Sequence, residues 1–470
     1  MTASEPGLAK HAPAPARAGW RSSAYWDETW QRMDRERLDA VQLARMQSLV
    51  EYAYERVPFY RRLYDRAGVR PDAIRTWDDF FKRLPFTDKP DIVADQEERG
   101  ELFGLESTPR ELRAWFHRTS GTTGTPLNEV FTSYDRLLAA YEAWAYGWWD
   151  VGMRPGDSLY FAFNFGTFIG FWSALFSAER MGLMVIPGGG LDTRTRIKQI
   201  LELRPDAVIG TPTYLLHMAE VARAEGLDLA AAGVRFLTTA GEIGPNVPSF
   251  RRALKRGWGE PVVCDIYGIS EAIFAACECA AVDRGEANGV HVIERHVHSY
   301  AVDPKSFDPV ADESEVGEHI VTSFRLGQPL IKYRTHDLVR LCRRPDHGCG
   351  WNFAFLDGGV LARTDNMVII RGTNVYTTAV QNIIGRVPGA SAYYEVHIVQ
   401  REGQDAMEVR LEADSGVGED RYPALQAKLA EELRYNIGVG IDVSVLAPGS
   451  LPRYELKTRR VFDHRKEVLP

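Results

Sequence analysis

The middle of the chain, from Trp115 to about Tyr333, alternates short runs of β-forming residues with runs of helical periodicity. Four of these β-rich runs, Leu159–Phe165, Ala207–Ile209, Val234–Thr239 and Val262–Tyr267, end in Gly, Pro, Ser or Thr, residues that favour turns and strand ends. Such alternation predicts a layered α/β body with functional side chains where the strands end. The predicted strands are Leu159–Phe165, Ala207–Ile209, Val234–Thr239, Val262–Tyr267, Glu318–Phe324 and Asp337–Leu341.

The two ends of the chain follow different patterns. Met1–Gly19 is rich in Ala and Pro without an apolar stretch, which predicts a disordered lead-in. Apolar residues recur at helical spacing over Tyr25–Tyr64, predicting an amphipathic helix that stops near Val57-Pro58. After Arg363 the order becomes strand, helix, two strands, helix, strand, typical of a compact α+β unit. These are Met367–Arg371, Thr377–Gly385, Glu395–Gln400, Met407–Ala413, Tyr422–Tyr435 and Ile441–Leu446.

We therefore predict a lead-in over 1–19, a large layered α/β body over 20–363 and a small α+β domain over 364–470. A net charge of -8 with interspersed charges argues against nucleic acid or membrane partners and favours a small-molecule ligand. The apolar run Leu159–Phe176 contains Asn164 and Thr167, so we interpret it as a buried strand and helix. Five cysteines without an export signal predict a reducing, cytoplasmic setting. The oligomeric state, including a homodimer, stays open.

A loop of hydroxyl residues and glycines spans Thr119–Thr125. Its glycines allow backbone N–H groups to approach a polyphosphate, and its hydroxyls can donate further hydrogen bonds. It is not a Walker A loop, because no Gly-Lys-Ser/Thr follows at the required spacing. Taken alone, this segment fits a phosphate-binding loop and an ordinary flexible loop equally well. The candidate phosphate-binding residues are Ser120, Gly121, Thr122, Thr123, Gly124 and Thr125.

Five further motifs follow this loop in order: Thr238-Thr-Ala-Gly-Glu242, Tyr267-Gly-Ile-Ser-Glu271, Tyr333-Arg-Thr-His-Asp337, Arg363-Thr-Asp365 and Pro452-Arg-Tyr-Glu-Leu-Lys457. Together they resemble the acyl-adenylate-forming (ANL) superfamily, and within it the phenylacetate–CoA ligases. The subgroup likeness, from about Trp26 to Arg465, rests on Leu84-Pro-Phe-Thr-Asp-Lys89, Ala178-Glu-Arg-Met-Gly182, Ile186-Pro187, Gly210-Thr-Pro-Thr-Tyr214 and Leu451-Pro-Arg453.

The resemblance implies that a carboxylic acid is joined to AMP from ATP and is then passed to the thiol of CoA. Attack of a carboxylate on a phosphate brings anions together, so donors, a divalent cation and a positive side chain must offset the charge. By the same resemblance, Thr119–Thr125 holds phosphates, Asp337 accepts the ribose hydroxyls and Glu271 binds Mg²⁺. The adenine side of the site would be formed by Gly241, Glu242, Tyr267, Gly268 and Ser270.

The small domain carries the remaining implied roles. Lys457 would stabilise the adenylating transition state with Arg363 nearby, and Asp365 would be the hinge about which this domain moves. Two residues differ from the family pattern: Leu456 stands where glycine is usual, and Gln381 where glutamate is common. Both lie in the mobile domain, so they bear on the CoA step more than on adenylation.

The resemblance places the acid pocket around Phe165, Gly166, Phe168 and Tyr214. Aromatic side chains form a flat apolar slot that suits an aryl ring, although most aromatic residues in this region also fit plain core packing. We therefore expect an aromatic acid. Nothing in the sequence selects among hydroxyl, amino and unsubstituted acids.

A cluster of cysteines and histidines follows Glu271. Relatives of phenylacetate–CoA ligase carry similar residues here that look like structural zinc ligands, and Cys279, His291, His347 and Cys349 would form a closed tetrahedral set. Cys277 or Cys342 could replace one ligand, and buried reduced thiols without metal are the alternative.

Other functions stay open at this point. The adenylate could be passed to an amine or a carrier-protein thiol, in which case we expect the carrier to be a separate chain. An ATP-dependent diazotase-like relative would use nitrite and an arylamine. A non-enzymatic nucleotide sensor is the last alternative, and the joint presence of Lys457, Glu271 and Asp337 argues against it.

Overall fold

The computed structural model describes residues 23–99, 103–119, 126–137, 142–242, 244–272, 274–364, 367–370, 373–401, 404–453 and 460–467. The predicted lead-in, 1–19, lies outside these ranges. The long N-terminal helix α2 begins after Asp34, whose carboxylate accepts the Arg37 N–H at 2.9 Å. It ends at Val57, as predicted, because Pro58 starts a new helix instead. The N-terminal helices are α1 (Glu28–Gln31), α2 (Arg35–Arg56), α3 (Pro58–Arg66), α4 (Trp77–Arg83) and α5 (Lys89–Arg99).

A two-stranded antiparallel sheet precedes the main sheet and presents the Ser/Thr/Gly loop at its tip. Its strands are β1 (Arg113–Arg118) and β2 (Asn128–Thr132). The segments that lead to the main sheet include α6 (Ser133–Asp135) and α7 (Ala145–Asp150). The tip residues Ser120–Thr125 lie outside the described part of the chain.

Among the described residues the main sheet has eleven strands, and five of them are parallel to one another. Helices connect its successive parallel strands, as the alternation in the sequence predicts. β3 and β5 are buried at every residue, because helices cover both faces of the sheet. The parallel part contains β3 (Ser158–Phe161), α8 (Ile169–Met181), β4 (Met184–Pro187), α9 (Thr193–Leu203), β5 (Ala207–Gly210), α10 (Pro212–Ala224), β6 (Phe236–Ala240), α11 (Pro248–Trp258) and β7 (Val262–Ile269).

The apolar run Leu159–Phe176 divides between β3 and α8, in agreement with the prediction of a strand followed by a helix. β3 ends at Phe161, four residues before the predicted end at Phe165. Among the described residues, no helix combines the length and hydropathy needed to span a bilayer.

The other half of the main sheet is antiparallel, and its longest strand is β12. β12 twists locally at Lys332 (φ 48°) and His336 (φ 61°), and its pairing with both neighbours shifts register along this stretch. Thr87 forms an isolated bridge with Tyr333, which joins the N-terminal helices to this strand. The elements are β8 (Phe274–Cys277), α12 (Ala280–Asp283), β9 (Gly289–Val292), β10 (Val297–Val302), β11 (Gly317–Ser323), β12 (Leu330–Cys342) and β13 (Phe355–Arg363).

The small unit that follows β13 has its own four-stranded sheet and its own apolar core. The predicted order of strands and helices is present, and two short strands, β15 and β19, were not predicted. The α/β body followed by an α+β unit confirms the predicted fold class. The elements are β14 (Met367–Ile370), β15 (Thr373–Tyr376), α13 (Thr377–Ile384), β16 (Ala390–Arg401), β17 (Gln404–Ala413), α14 (Tyr422–Ile437), β18 (Asp442–Leu446) and β19 (Val461–Asp463).

The small unit packs against α10 and α11 of the body. Tyr393 is a buried member of the apolar cluster between these helices, and Leu451 packs on its edge. At the end of α13 the backbone comes close to the body, since a Cβ on Gly385 would lie 1.9 Å from a methyl carbon of Val247. Only glycine therefore fits at this contact.

Candidate nucleotide and acid site

The base of the Ser/Thr/Gly loop is closed by Thr119 and Leu127. The Thr119 N–H donates to the Leu127 carbonyl at 3.0 Å, and the Leu127 N–H donates to the Thr119 hydroxyl at 3.0 Å. Both ends of the loop are thus fixed on the β1–β2 pair.

A lysine that the sequence analysis did not select connects this loop to the proposed metal ligand. The Lys89 ammonium lies 3.1 Å from the Glu271 carboxylate and 3.4 Å from the Thr119 hydroxyl. Lys89 begins α5, and two residues before it the Thr87 N–H donates to the Lys332 carbonyl of β12 at 3.0 Å. The signal for this lysine in the sequence is the family motif that ends in Thr87-Asp88-Lys89, which places a cation two residues after the threonine that bonds β12.

A second carboxyl group lies close to Glu271. Glu129, on β2, is 1% exposed, and its carboxyl oxygens have no hydrogen-bond partner among the described residues. The nearest cation is Arg325, 4.0 Å away, which itself donates to the Glu271 carbonyl at 3.0 Å. Burial raises the pKa of Glu129 to about 8, and the Glu271 charge adds to this rise while Arg325 opposes it.

Asp337 lies on β12 at the centre of a polar cluster. Its Oδ1 accepts a hydrogen bond from the Arg363 guanidinium at 2.7 Å, and its Oδ2 accepts one from the Tyr267 hydroxyl. Burial, together with the Asp337 charge, raises the pKa of Tyr267 well above its usual value, so this hydroxyl is a donor at neutral pH. The structure thus brings together three residues for which the sequence predicted adenine, ribose and catalytic roles.

The other predicted adenine-side residues follow β6 and β7. Glu242 accepts hydrogen bonds from the backbone N–H and the hydroxyl of Thr213 at the start of α10. Gly241 has a φ of 95°, a conformation that favours glycine. Gly268 is exposed at the end of β7, and Ser270 opens the short turn that carries Glu271.

The residues of the predicted acid pocket differ in burial: Phe165 and Tyr214 pack against other side chains, whereas Gly166 and Phe168 are exposed. Phe165 packs in an aromatic cluster, with its ring centroid 4.8 Å from Trp172 and 5.0 Å from Phe163. Phe168 is 37% exposed, and Gly166 leaves open space where a Cβ would be. Tyr214 is buried, and its hydroxyl contacts Thr193 at 3.1 Å and Arg196 at 2.6 Å.

The predicted cysteine and histidine ligands come together from three segments of the chain. Cys279 caps α12, His291 lies on β9, and His347 and Cys349 lie between β12 and β13. Their candidate ligand atoms all lie within 4.8 Å of one another. The His291 Nε2 is 3.1 Å from the His347 Nε2 and 3.3 Å from the Cys349 Sγ. Cys277 and Cys342 are not part of this group.

Lys457 and Asp365 lie outside the described residues. The described neighbours of the lysine segment are Arg453 before it and Arg460 after it. Arg453 contacts Glu220 of the body at 3.4 Å. Arg460 donates to the Tyr394 hydroxyl at 3.1 Å and interacts electrostatically with Glu242.

Comparisons with known proteins place these features in a family. Residues 79–324 match the AMP-binding enzyme family, and residues 372–465 match the C-terminal domain of AMP-binding enzymes. The chain therefore belongs to the AMP-binding enzyme family. The phenylacetate-coenzyme A ligase of Thermus thermophilus is 35% identical over 452 residues, which cover 92% of this chain and 98% of that protein. The phenylacetate-coenzyme A ligase of Aromatoleum evansii is 31% identical over 450 residues, covering 93% and 97%. The resemblance inferred from the motifs is confirmed.

A solved structure of 2-hydroxyisobutyryl-CoA ligase, in the postadenylation state with R3-HIB-AMP, is similar over the whole chain. It is 27% identical, covers 97% of this chain and 95% of that one, and superposes with a TM-score of 0.85. The same ligase in its thioesterification state, with 2-HIB-AMP and CoA, gives a TM-score of 0.69 over 97% of this chain and 96% of that one. The arrangement of body and small unit is therefore more similar to the postadenylation state.

Proposed function

We propose that this chain is an AMP-forming acid–CoA ligase that acts on an aromatic carboxylic acid. The acid and ATP give an acyl-adenylate and pyrophosphate, and the acyl group then passes to CoA with release of AMP. The similarity to two phenylacetate-coenzyme A ligases over more than nine-tenths of the chain carries this proposal. The aromatic cluster around Phe165 supports an aryl substrate.

The nucleotide would bind between the loop 119–125 and β12. We assign the ribose hydroxyls to Asp337, because its carboxylate is fixed by Arg363 and Tyr267 before any ligand binds. We assign the adenine side to Gly241, Glu242, Tyr267, Gly268 and Ser270, which border the same end of the sheet. Lys457, with Arg363, would offset the charge that develops at the α-phosphate.

Mg²⁺, when bound with ATP, would neutralise phosphate charge. Glu271 fits this role because its carboxylate, 11% exposed, is paired among the described residues with Lys89 at 3.1 Å, and Lys89 also reaches the Thr119 hydroxyl at the base of the loop. Oxygen ligands supplied by one or two carboxylates are usual for Mg²⁺. Lys89 would keep Glu271 oriented and would also add positive charge next to the phosphates.

The acid would lie beside Phe165, Gly166 and Phe168, and Tyr214 would close the pocket from α10. Because its hydroxyl is already bonded to Thr193 and Arg196, Tyr214 would contribute shape rather than a free donor to the substrate. Asp365 would act as the hinge for the change to the CoA-accepting arrangement. The domain boundary at residues 363 and 364 belongs to the same proposal.

The central test is acid-dependent ATP–pyrophosphate exchange with a panel that contains phenylacetate, hydroxyphenylacetates, benzoate and, as an aliphatic control, 2-hydroxyisobutyrate. Mass analysis with and without CoA then identifies the final product. We expect exchange with an aryl acid and a CoA-dependent thioester of the same acid. Absence of exchange with every acid, while ATP still binds, would exclude adenylation. Exchange without any thioester would favour the amine or carrier-protein acceptor.

We also propose that Cys279, His291, His347 and Cys349 bind a structural Zn²⁺. Tetrahedral zinc at about 2.0–2.3 Å from its ligands requires ligand atoms about 3.3–3.8 Å apart. Three of the six separations are 3.1–3.4 Å, and all six are within 4.8 Å. The other ring nitrogen of His291 lies 3.1 Å from the Phe353 carbonyl, which would orient the ligand. A metal-to-protein ratio near one after purification without chelators is expected, and a ratio near zero would contradict this assignment.

A further inference from the structure

Glu220, near the end of α10 in the body, contacts two residues of the small unit. The Tyr393 hydroxyl donates to the Glu220 carboxylate at 3.0 Å, and the Arg453 guanidinium lies 3.4 Å from the same oxygen. The Tyr393 ring is 9% exposed and packs among apolar residues of α10 and α11. This contact joins the two units outside every site assigned above.

Arg453 is already held within the small unit before it reaches the body. It forms two hydrogen bonds to the Glu412 carboxylate, at 2.8 and 2.7 Å, and its guanidinium lies 3.5 Å from the Tyr393 ring centroid. Glu412 is 1% exposed and also accepts the Gly449 and Leu451 N–H groups at 3.0 and 2.7 Å. Residues 449, 451 and 453 are therefore held together by hydrogen bonds to one buried carboxylate.

Arg460, which follows the lysine segment, contacts the strand residue next to Tyr393. Arg460 donates to the hydroxyl of Tyr394, the residue after Tyr393 on β16, and interacts electrostatically with Glu242 of the body. Arg453 and Arg460 thus flank residues 454–459, which contain Lys457. Arg453 contacts Tyr393 and Arg460 contacts Tyr394, which are neighbouring residues of β16.

We propose that Glu220 is a positioning residue for the adenylation step, because its contacts with Tyr393 and Arg453 dock the small unit, whose sequence carries Lys457, against α10 of the body. This inference rests on the proposed function. A contact between two units that exists in one arrangement stabilises that arrangement relative to any other. The same contact must break before the small unit can rotate, so Glu220 favours adenylation over transfer to CoA.

The two half-reactions provide the test. In the Glu220→Ala variant, pyrophosphate exchange should fall about tenfold, equivalent to about 1.4 kcal/mol in the docking equilibrium. Transfer to CoA from separately supplied acyl-adenylate should be unchanged or faster. Tyr393→Phe, which removes a single hydroxyl, should show the same split with a smaller effect. Glu225→Ala is the matched control, because Glu225 ends the same helix and pairs with the exposed Arg194.

Hydrogen–deuterium exchange on the full chain gives a readout that does not depend on any substrate. Backbone amides of residues 390–394 and 449–453 should exchange faster in Glu220→Ala than in the wild type or in Glu225→Ala. Equal loss of both half-reactions, or unchanged exchange at these amides, would overturn the positioning role. If no acid supports pyrophosphate exchange in the wild type but the amide result holds, the docking contact stands and the proposed function fails.

Discussion

Replacement of Asp337 by asparagine tests the ribose assignment. Its carboxylate side chain is 6% exposed, and it accepts bonds from Arg363 and Tyr267. A carboxylate offers about four acceptor positions, and the assignment requires two of them for the ribose hydroxyls. Hydrogen bonds to a charged partner contribute about 1.5–3 kcal/mol and neutral ones about 0.5–1.5 kcal/mol. Loss of about 1–1.5 kcal/mol for each of two bonds weakens ATP binding by roughly 30- to 150-fold.

Titration calorimetry with ATP in the absence of acid measures this change directly. Asp308→Asn is the matched control, since Asp308 is exposed on the same body and loses the same charge. The wild type should bind 2′-deoxy-ATP more weakly than ATP. In Asp337→Asn the two nucleotides should bind with nearly equal affinity, because the contact between Asp337 and the 2′-hydroxyl is already lost. A dissociation constant for ATP within threefold of the wild-type value would refute the assignment of Asp337 to the ribose.

Three further predictions follow from buried or catalytic charges. Lys457→Ala should reduce pyrophosphate exchange by at least about a hundredfold while ATP affinity stays within about threefold, and full exchange would contradict its role. The pKa of Glu129 is raised to about 8 in the folded state, so folding stability should fall by up to about 5 kcal/mol as pH rises from about 4.5 through 8. Glu129→Gln should remove this part of the pH dependence of the thermal unfolding midpoint of the nucleotide-free protein. An unchanged pH dependence would contradict the raised pKa of Glu129. Lys332→Met should lower the unfolding midpoint strongly, because Lys332 donates to the Phe81 and Leu84 carbonyls at the end of α4, at 2.8 and 2.7 Å. Lys82→Met, at an exposed lysine of α4, should have little effect on the midpoint.

The architecture of the chain could be predicted from its sequence because its strands are short, β-rich and bounded by turn residues. Ala207–Ile209 is an example, since the observed strand β5 is only one residue longer. The end of the strand predicted over Leu159–Phe165 was wrong, because aromatic residues after Phe161 pack together without continuing the ladder. The three-residue strand β19 has no periodicity long enough to detect, and its pairing with β16 comes from tertiary contact.

In the candidate site, too, some features could be predicted from the sequence and others could not. Cys279, His291, His347 and Cys349 could be selected together because cysteine and histidine are specific metal ligands, and the structure brings their ligand atoms close. The contact between Lys89 and Glu271 could not be inferred, because it depends on how α5 docks onto β12. The buried carboxyl of Glu129 was equally hidden, since a single acidic residue in a β-rich run normally faces solvent.

β12 carries a buried lysine that bonds the N-terminal helices and, a few residues later, the proposed ribose ligand. Lys332 caps the end of α4, and five positions later Asp337 bonds Arg363. A one-residue deletion between them would turn Asp337 to the opposite face of the sheet. The aromatic residues after β3 pack with one another in a separate part of the body. If the proposed acid pocket is correct, laboratory evolution of acid preference should have more freedom in this segment than along β12.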